Sequence, residues 1–180
     1  SVLLTFQESI ASKNDLLGNI MSETVIVCVT NANYINSEGK TYMSGAYDDR
    51  DGVIWMDGEM INWRDAKVHI LTHALHYGSS VFEGERAYNG KIFKSREHSQ
   101  RLIKSGEYMD IPIPYAVDEI EDAKDKVMVA SGLQDAYVRA VCWRSSGEDM
   151  GVASSRNPVK MAIAAWEWGA YYGDAKMQGA

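Results

Sequence analysis

Two dipeptides constrain this chain more than anything else in it: Asp57-Gly58 and Asn89-Gly90. Each sits between short strand-forming runs, Val53 to Met56 and Glu59 to Trp63 around the first, Ser80 to Tyr88 and Lys91 to Lys94 around the second. A two-residue link between antiparallel strands needs positive φ at its centre, which Asp, Asn and Gly adopt at little steric cost. Both segments therefore read as hairpins, and two hairpins imply an antiparallel sheet.

After the second hairpin the chain reads as helical and then as extended again. Ser95 is placed as the N-cap of a helix from about Arg96 to Met109, with Glu97 in its first turn complementing the dipole. The Ile-Pro-Ile-Pro run at 111–114 stops it. Asp118 followed by Glu121 resembles a capping box, and Ile120, Ala123, Val127 and Ala130 recur at helical spacing until Gly132. Ala136 to Arg144 alternates, putting Tyr137, Arg139, Val141 and Trp143 on one face, and a last strand is expected from Val159 to Trp166. The expected fold class is α+β: a mainly antiparallel sheet with helices packed on one face. A strand, glycine-rich loop and helix in succession is absent, which argues against a dinucleotide fold.

Residues 1–50 hold no proline and read as an N-terminal extension of unknown role, with Met21-Ser22 as a possible internal start. Within them, TVIVCVTNANYI is β-branched and is expected to be a strand. Residues 51–165 form the expected domain, and 166–180 a connecting segment.

Charge and composition exclude several functions. The 180 residues carry 18 Lys+Arg against 25 Asp+Glu, a net charge of -7, which is the wrong sign for a protein that grips the nucleic-acid backbone. No apolar run approaches the roughly 20 residues of a membrane span, and the first residues lack a basic secretory region, so no membrane partner and a cytoplasmic location are expected. Cys28 and Cys142 lie far apart among apolar neighbours, unlike a zinc site or a disulfide scaffold. His73 and His76 lack a third fixed ligand and read as structural rather than metal-binding.

The strand at 80–88 is more informative. Its period of two places Phe82, Gly84, Arg86 and Tyr88 on one side and Val81, Glu83, Glu85 and Ala87 on the other. A glycine between an aromatic ring and an arginine leaves room for a flat ligand or a close backbone; the plain alternative is a kink beside a surface ion pair. Arg101 and Arg139 offer planar forks suited to phosphate or carboxylate, and Tyr137 adds a hydroxyl beside Arg139, although each alone also fits a surface ion pair. The aromatic group Trp166, Trp168, Tyr171 and Tyr172 reads as core or interface packing.

Eight runs then occur together in one order: MDGEM (56–60), KVH (67–69), HALHYG (73–78), VFEGER (81–86), REHSQRL (96–102), YVR (137–139), MGV (150–152) and WGAY (168–171). In order and spacing, residues 51–180 resemble the class IV pyridoxal-phosphate (PLP) aminotransferases, of the branched-chain amino acid type. The resemblance implies that Arg101 binds the cofactor phosphate and that Tyr77, Phe82, Gly84 and Tyr171 line the pocket for leucine, isoleucine and valine. It implies that Tyr137 holds the substrate α-carboxylate, that Arg139 receives the distal carboxylate of glutamate, and that Arg86 stands near the site. Val152 matches a valine that the family inserts from the neighbouring subunit of a dimer.

Two departures accompany it. Ala140 replaces the family's usual proline, and the family's catalytic lysine, the acid facing the pyridine nitrogen and most other phosphate ligands belong to a C-terminal domain beyond Ala180. Lys176 is not in that lysine's context. The resemblance thus implies amino-group transfer from leucine, isoleucine or valine to 2-oxoglutarate in a longer homodimeric enzyme, this chain alone being expected inactive. D-amino acid aminotransferase and aminodeoxychorismate lyase are the alternatives within the class, and a non-catalytic dimerisation module the alternative outside it.

Overall fold

A computed structural model of the chain describes residues 33–35, 41–43, 46–153 and 155–167. The chain divides into two compact units, residues 1–44 and 45–180. In the first, β1 (Asn33–Ile35) pairs antiparallel with β2 (Thr41–Met43), Tyr34 opposite Tyr42. The remainder of the strand expected over TVIVCVTNANYI lies outside the described residues.

The second unit is an antiparallel sheet in the order β4 (Glu59–Asn62), β3 (Val53–Met56), β8 (Val159–Trp166), β7 (Ala136–Arg144), β5 (Ser80–Tyr88), β6 (Lys91–Ile92). Its first hairpin is β3 (Val53–Met56) and β4 (Glu59–Asn62), turning on Asp57 and Gly58 at φ 50° and 100°. A short 3-10 turn, Trp63–Asp65, takes over where the strand was expected to continue. Its second hairpin is β5 (Ser80–Tyr88) and β6 (Lys91–Ile92), turning on Asn89 and Gly90 at φ 50° and 74°. Between the two hairpins lies α1 (His73–Tyr77), a single turn closed by Gly78 in the left-handed region. The long strands β7 (Ala136–Arg144) and β8 (Val159–Trp166) fill the centre, as their alternation requires.

Helices α2 (Ser95–Tyr108) and α3 (Val117–Ser131) cover one face. Against them the sheet turns Trp55, Val81, Ala87, Ala136, Val138, Ala140, Cys142, Met161, Ile163 and Ala165, all buried with Leu102, Ile120, Ala123 and Val127. The alanines keep this face low, so the helices lie close to the strands. Burial pushes the Cys142 thiol up to about 12, leaving it a small apolar core group rather than a nucleophile.

The helix ends differ from expectation for one reason: their polar residues are used across the helix pair. Ser95 does not cap α2; its hydroxyl donates to Glu121 at 3.1 Å. Asp118 does not cap α3 but pairs with Arg96 at 2.6 Å, and Glu119 instead accepts from the Ala116 N–H at 2.8 Å. On α3 the inward stripe is Ile120, Ala123, Lys124, Val127 and Met128, whereas Ala130 is exposed.

Lys124 is the unexpected member of that stripe, fully buried under the sheet. Its ammonium lies 2.8 Å from each oxygen of Glu85, itself buried, and donates to the Ser99 hydroxyl at 2.7 Å and the Ser95 carbonyl at 3.2 Å. Ser99 in turn donates to Glu121. Burial pushes the Glu85 carboxyl up, against the pull of Lys124, so the pair survives only because the two charges face one another. Among the described residues no helix is long and apolar enough to cross a membrane.

Glu85→Leu, which strands the Lys124 ammonium, should therefore lower unfolding free energy by about 3–5 kcal/mol in urea titrations. The double variant Glu85→Leu/Lys124→Met should recover part of that loss, because neither fully buried charge then remains, although Glu121 loses its contact with Lys124.

Candidate active site

The face of the sheet away from α2 and α3 carries the other half of each alternation. Register aligns Phe82 with Val141, Gly84 with Arg139 and Arg86 with Tyr137, and β8 adds Ala162, Ala164 and Trp166 opposite Val141, Arg139 and Tyr137. Neighbours within one register row are about 5 Å apart, so Phe82, Gly84, Tyr137 and Arg139 form one patch. A Cβ at Gly84 would lie 2.1 Å from the Tyr137 hydroxyl, so the glycine is required to let that ring lie across the strand.

Arg139 is the centre of the patch. Its Nη2 donates to the Tyr137 hydroxyl at 2.7 Å, and its guanidinium stacks 4.2 Å from the Phe82 ring centre. Its Nε is buried without a hydrogen-bond partner, and no carboxylate pairs with it among the described residues. Arg86 lies on the same face, 5.6 Å from the Tyr88 ring, and Tyr137 packs 4.9 Å from Trp166.

Beside Arg139 a groove of about 390 Å³ runs between the sheet and residues 66–75, lined mainly by Ile54, Met56, Val68, Leu75, Val141 and Ala162. Thr72 and Trp143 also line it, and both have a buried polar atom without a partner, Oγ1 and Nε1. Nothing in the linear sequence singles out Thr72, and alternation along β7 sets Trp143 on this face without indicating a role. A donor flanked by strand alternation is the only linear signal Trp143 offers.

Arg101 stands elsewhere. It projects from α2 to the edge of β5, where residues 80–85 pair with β7 alone among the described strands. Its Nε and Nη2 grip the two oxygens of Glu83 at 2.6 and 2.7 Å, and His98 reaches the same carboxylate at 2.8 Å. The Arg101 side chain is nevertheless 65% exposed, and Nη1 is not engaged by Glu83. Burial pushes the Glu83 carboxyl up, but the hydrogen bonds and charges of Arg101 and His98 outweigh it and hold the group below the usual glutamate range.

Tyr77 and Val152 form a third group at the far end of β7, beyond Arg144. The Tyr77 hydroxyl donates to the Met150 carbonyl at 2.9 Å, and Val152 on the same loop is 78% exposed. Five residues of strand, about 17 Å, separate Arg139 from Arg144. The structure therefore brings Phe82, Gly84, Tyr137 and Arg139 together, with Arg86 alongside, sets Arg101 toward the opposite face through Glu83, and places Tyr77 and Val152 toward the Arg144 end of β7. Tyr171 lies outside the described residues. His73 and His76 spend their ring nitrogens on Ser79, Gly151 and Ile70, and no three His, Cys, Asp or Glu gather as metal ligands among the described residues.

Residues 80–178 match the family described as Amino-transferase class IV. The chain belongs to the class IV aminotransferases. It is 47% identical over 134 residues to the branched-chain-amino-acid aminotransferase of Pseudomonas aeruginosa, covering 72% of this chain and 43% of that protein. With the Escherichia coli K12 enzyme of the same name it shares 41% over 129 residues, 67% of this chain and 40% of that one.

Among solved structures, the Escherichia coli branched-chain amino acid aminotransferase superposes with a TM-score of 0.65 at 40% identity, covering 69% of this chain and 42% of that one. A T.th. branched-chain amino acid aminotransferase solved with pyridoxamine 5'-phosphate gives 0.64 at 40%, covering 70% and 43%. The α+β fold of this class IV chain is thus shared with theirs. The chain spans about two fifths of the length of the curated relatives it matches.

The Glu83 anchor makes a pH-dependent prediction. A carboxyl held below its unfolded value stabilises the fold above the usual glutamate range, and that contribution is lost as pH falls through its lowered folded value. Glu83→Gln should cost about 1–2 kcal/mol at pH 7, after discounting for the solvent around Arg101, and progressively less as pH falls below the usual glutamate range. Urea midpoints across that pH range measure the difference.

Proposed function

We propose that this chain provides one side of the active site of a PLP-dependent branched-chain amino acid aminotransferase, which moves the amino group of leucine, isoleucine or valine to 2-oxoglutarate. The observation that carries the reading is Arg139: a guanidinium without a carboxylate among the described residues, set at an apolar groove. Two kinds of substrate fit such a place. An aliphatic side chain fills the groove, while Arg139 stays stacked on Phe82 and bonded to Tyr137. An acidic side chain brings the missing carboxylate to Arg139. The Tyr137 hydroxyl, polarised by Arg139, is the proposed donor to the α-carboxylate that both substrates share, with Arg86 beside it.

Arg101 fits the cofactor's phosphate. Glu83 fixes one edge of its guanidinium and leaves Nη1 and the outer edge exposed to donate to an anion. When bound, PLP supplies the electron sink that makes the substrate's α-proton labile. The residues of this chain bind and orient: Arg101 holds phosphate, Tyr137 and Arg139 hold carboxylates, and the groove excludes water from the aliphatic group.

Val152 is exposed and shares with Tyr77 the Arg144 end of β7, so in this reading the two serve the site of a second copy, and the protein works as a homodimer. The branched-chain names of the relatives and solved structures do not favour D-amino acid aminotransferase or aminodeoxychorismate lyase. The small-molecule partners are amino acids and 2-oxo acids, and a cytoplasmic location accords with this chemistry.

In the PLP-loaded enzyme containing this chain, Arg139→Ala should slow the half-reaction with glutamate at least about tenfold in kcat/KM and leave that with leucine within about twofold. Arg101→Ala should instead weaken retention of PLP by about tenfold, read as cofactor remaining after dialysis. Equal losses for leucine and glutamate in the first variant would remove Arg139 from side-chain recognition.

A further inference from the structure

His73 serves none of these roles, yet it is among the most deeply buried polar residues of the sheet's open side, at 2% exposure. Its Nε2 lies 2.9 Å from the Gly151 carbonyl and its Nδ1 2.7 Å from the Ser79 hydroxyl. A carbonyl only accepts, so Nε2 carries the ring proton and Nδ1 accepts from Ser79. The ring stacks on Tyr77 at 4.5 Å between centres, and the Tyr77 hydroxyl donates to Met150. Two consecutive carbonyls of one loop are thus each held by a side chain of α1, across more than 70 residues of sequence.

The rest of the loop is fixed from its own side. Asp149 accepts from the Gly151 N–H at 2.7 Å, and buried Asn157 donates to the Asp149 carbonyl at 2.7 Å and accepts from its N–H at 3.1 Å. These constraints converge on 149–151, while the next side chain, Val152, is held out into solvent. A loop with no task beyond linking β7 to β8 has no use for a buried imidazole that reaches it from another element. Immobilising an exposed valine has a use only if that valine meets something in a defined place.

We propose that His73 is a positioning residue for aliphatic substrates: by fixing the Gly151 carbonyl it presents Val152 to the side-chain groove of a second copy. This rests on the aminotransferase reading. His73 touches neither substrate nor cofactor; it acts through Gly151, and Ser79 acts through His73 by holding the tautomer. The binding entropy that Val152 would otherwise lose on entering a neighbouring groove has already been removed during folding, so the effect falls on affinity for aliphatic groups and not on the chemical step.

The test uses His73→Phe, which keeps the ring and its stacking on Tyr77 but deletes both hydrogen bonds, and His73→Gln, whose amide can still donate to Gly151. In the chain itself, His73→Phe should speed amide hydrogen exchange at Gly151 and Val152 by about tenfold, with the exchange of β5 and β7 unchanged, and His73→Gln should restore most of the protection. In the PLP-loaded enzyme, His73→Phe should raise KM for leucine about fivefold, leave KM for glutamate and both kcat values within about twofold, and be rescued by His73→Gln.

Unchanged exchange at 151–152 in His73→Phe overturns the proposal, and so does a parallel rise of KM for leucine and glutamate or a loss confined to kcat. A parent enzyme that turns over neither substrate overturns the aminotransferase reading first and this proposal with it. Should His73→Phe not fold, Ser79→Ala, which removes only the Nδ1 partner, carries the same test with the same signature at about two- to threefold.

Discussion

Two carboxylates in the middle of β5, Glu83 and Glu85, point toward the helices instead of toward water, and the rest of the unit is arranged around that choice. Glu85 is matched by Lys124 from α3 and Glu83 by Arg101 and His98 from α2. Each helix is thereby tied to the same strand by a charge-assisted contact as well as by apolar packing. A buried ion pair contributes little net stability compared with an apolar pair of the same shape, but any register in which one partner is missing costs several kcal/mol. The pairs therefore select one placement of α2 and α3 over its neighbours, and the alanines of β7 let the helices settle at that height.

Once the carboxylates occupy the inner face, pleating gives the outer face to Phe82, Gly84 and Arg86. Antiparallel register then sets Gly84 beside Arg139 and Arg86 beside Tyr137. The open face acquires an aromatic ring, a gap and two guanidinium groups without any loop having to position them. Arg101 belongs to the inner face through Glu83 and yet reaches solvent at the edge of the strand. The proposed phosphate-binding group, Arg101 on α2, and the proposed carboxylate-binding groups, Tyr137 and Arg139 on β7, are in this way set toward opposite faces of the sheet.

The far end of the sheet follows a different logic. There the chain spends buried polar groups, His73, Ser79 and Asn157, on the backbone of one loop and leaves its valine exposed. Ile70, Leu71, Leu75 and Tyr77 are exposed nearby in sequence. Apolar side chains held rigidly in water are costly to an isolated subunit, and that cost is recovered when a second surface covers them, which is the physical basis for reading this end as an interface.

Local chemistry determined what depends on neighbours in the chain. The positive φ demanded by Asp57-Gly58 and Asn89-Gly90, the alternation of β5 and β7 and the stop at Gly132 are all set within a few residues, and all are found where the sequence places them. Tertiary structure decided what depends on partners far along the chain. The side chain of Ser95 was committed to Glu121 and that of Asp118 to Arg96, so neither capped its helix, and Lys124 replaced Ala130 in the buried stripe because Glu85 was waiting for it. The face on which Phe82, Gly84 and Arg86 lie was legible from period two alone; that Arg139 meets no carboxylate among the described residues, that Thr72 and Trp143 border its groove, and that His73 holds Gly151 were not. Hydrogen bonds and charges act over a few ångströms in space, and only the folded chain determines which residues come within that range.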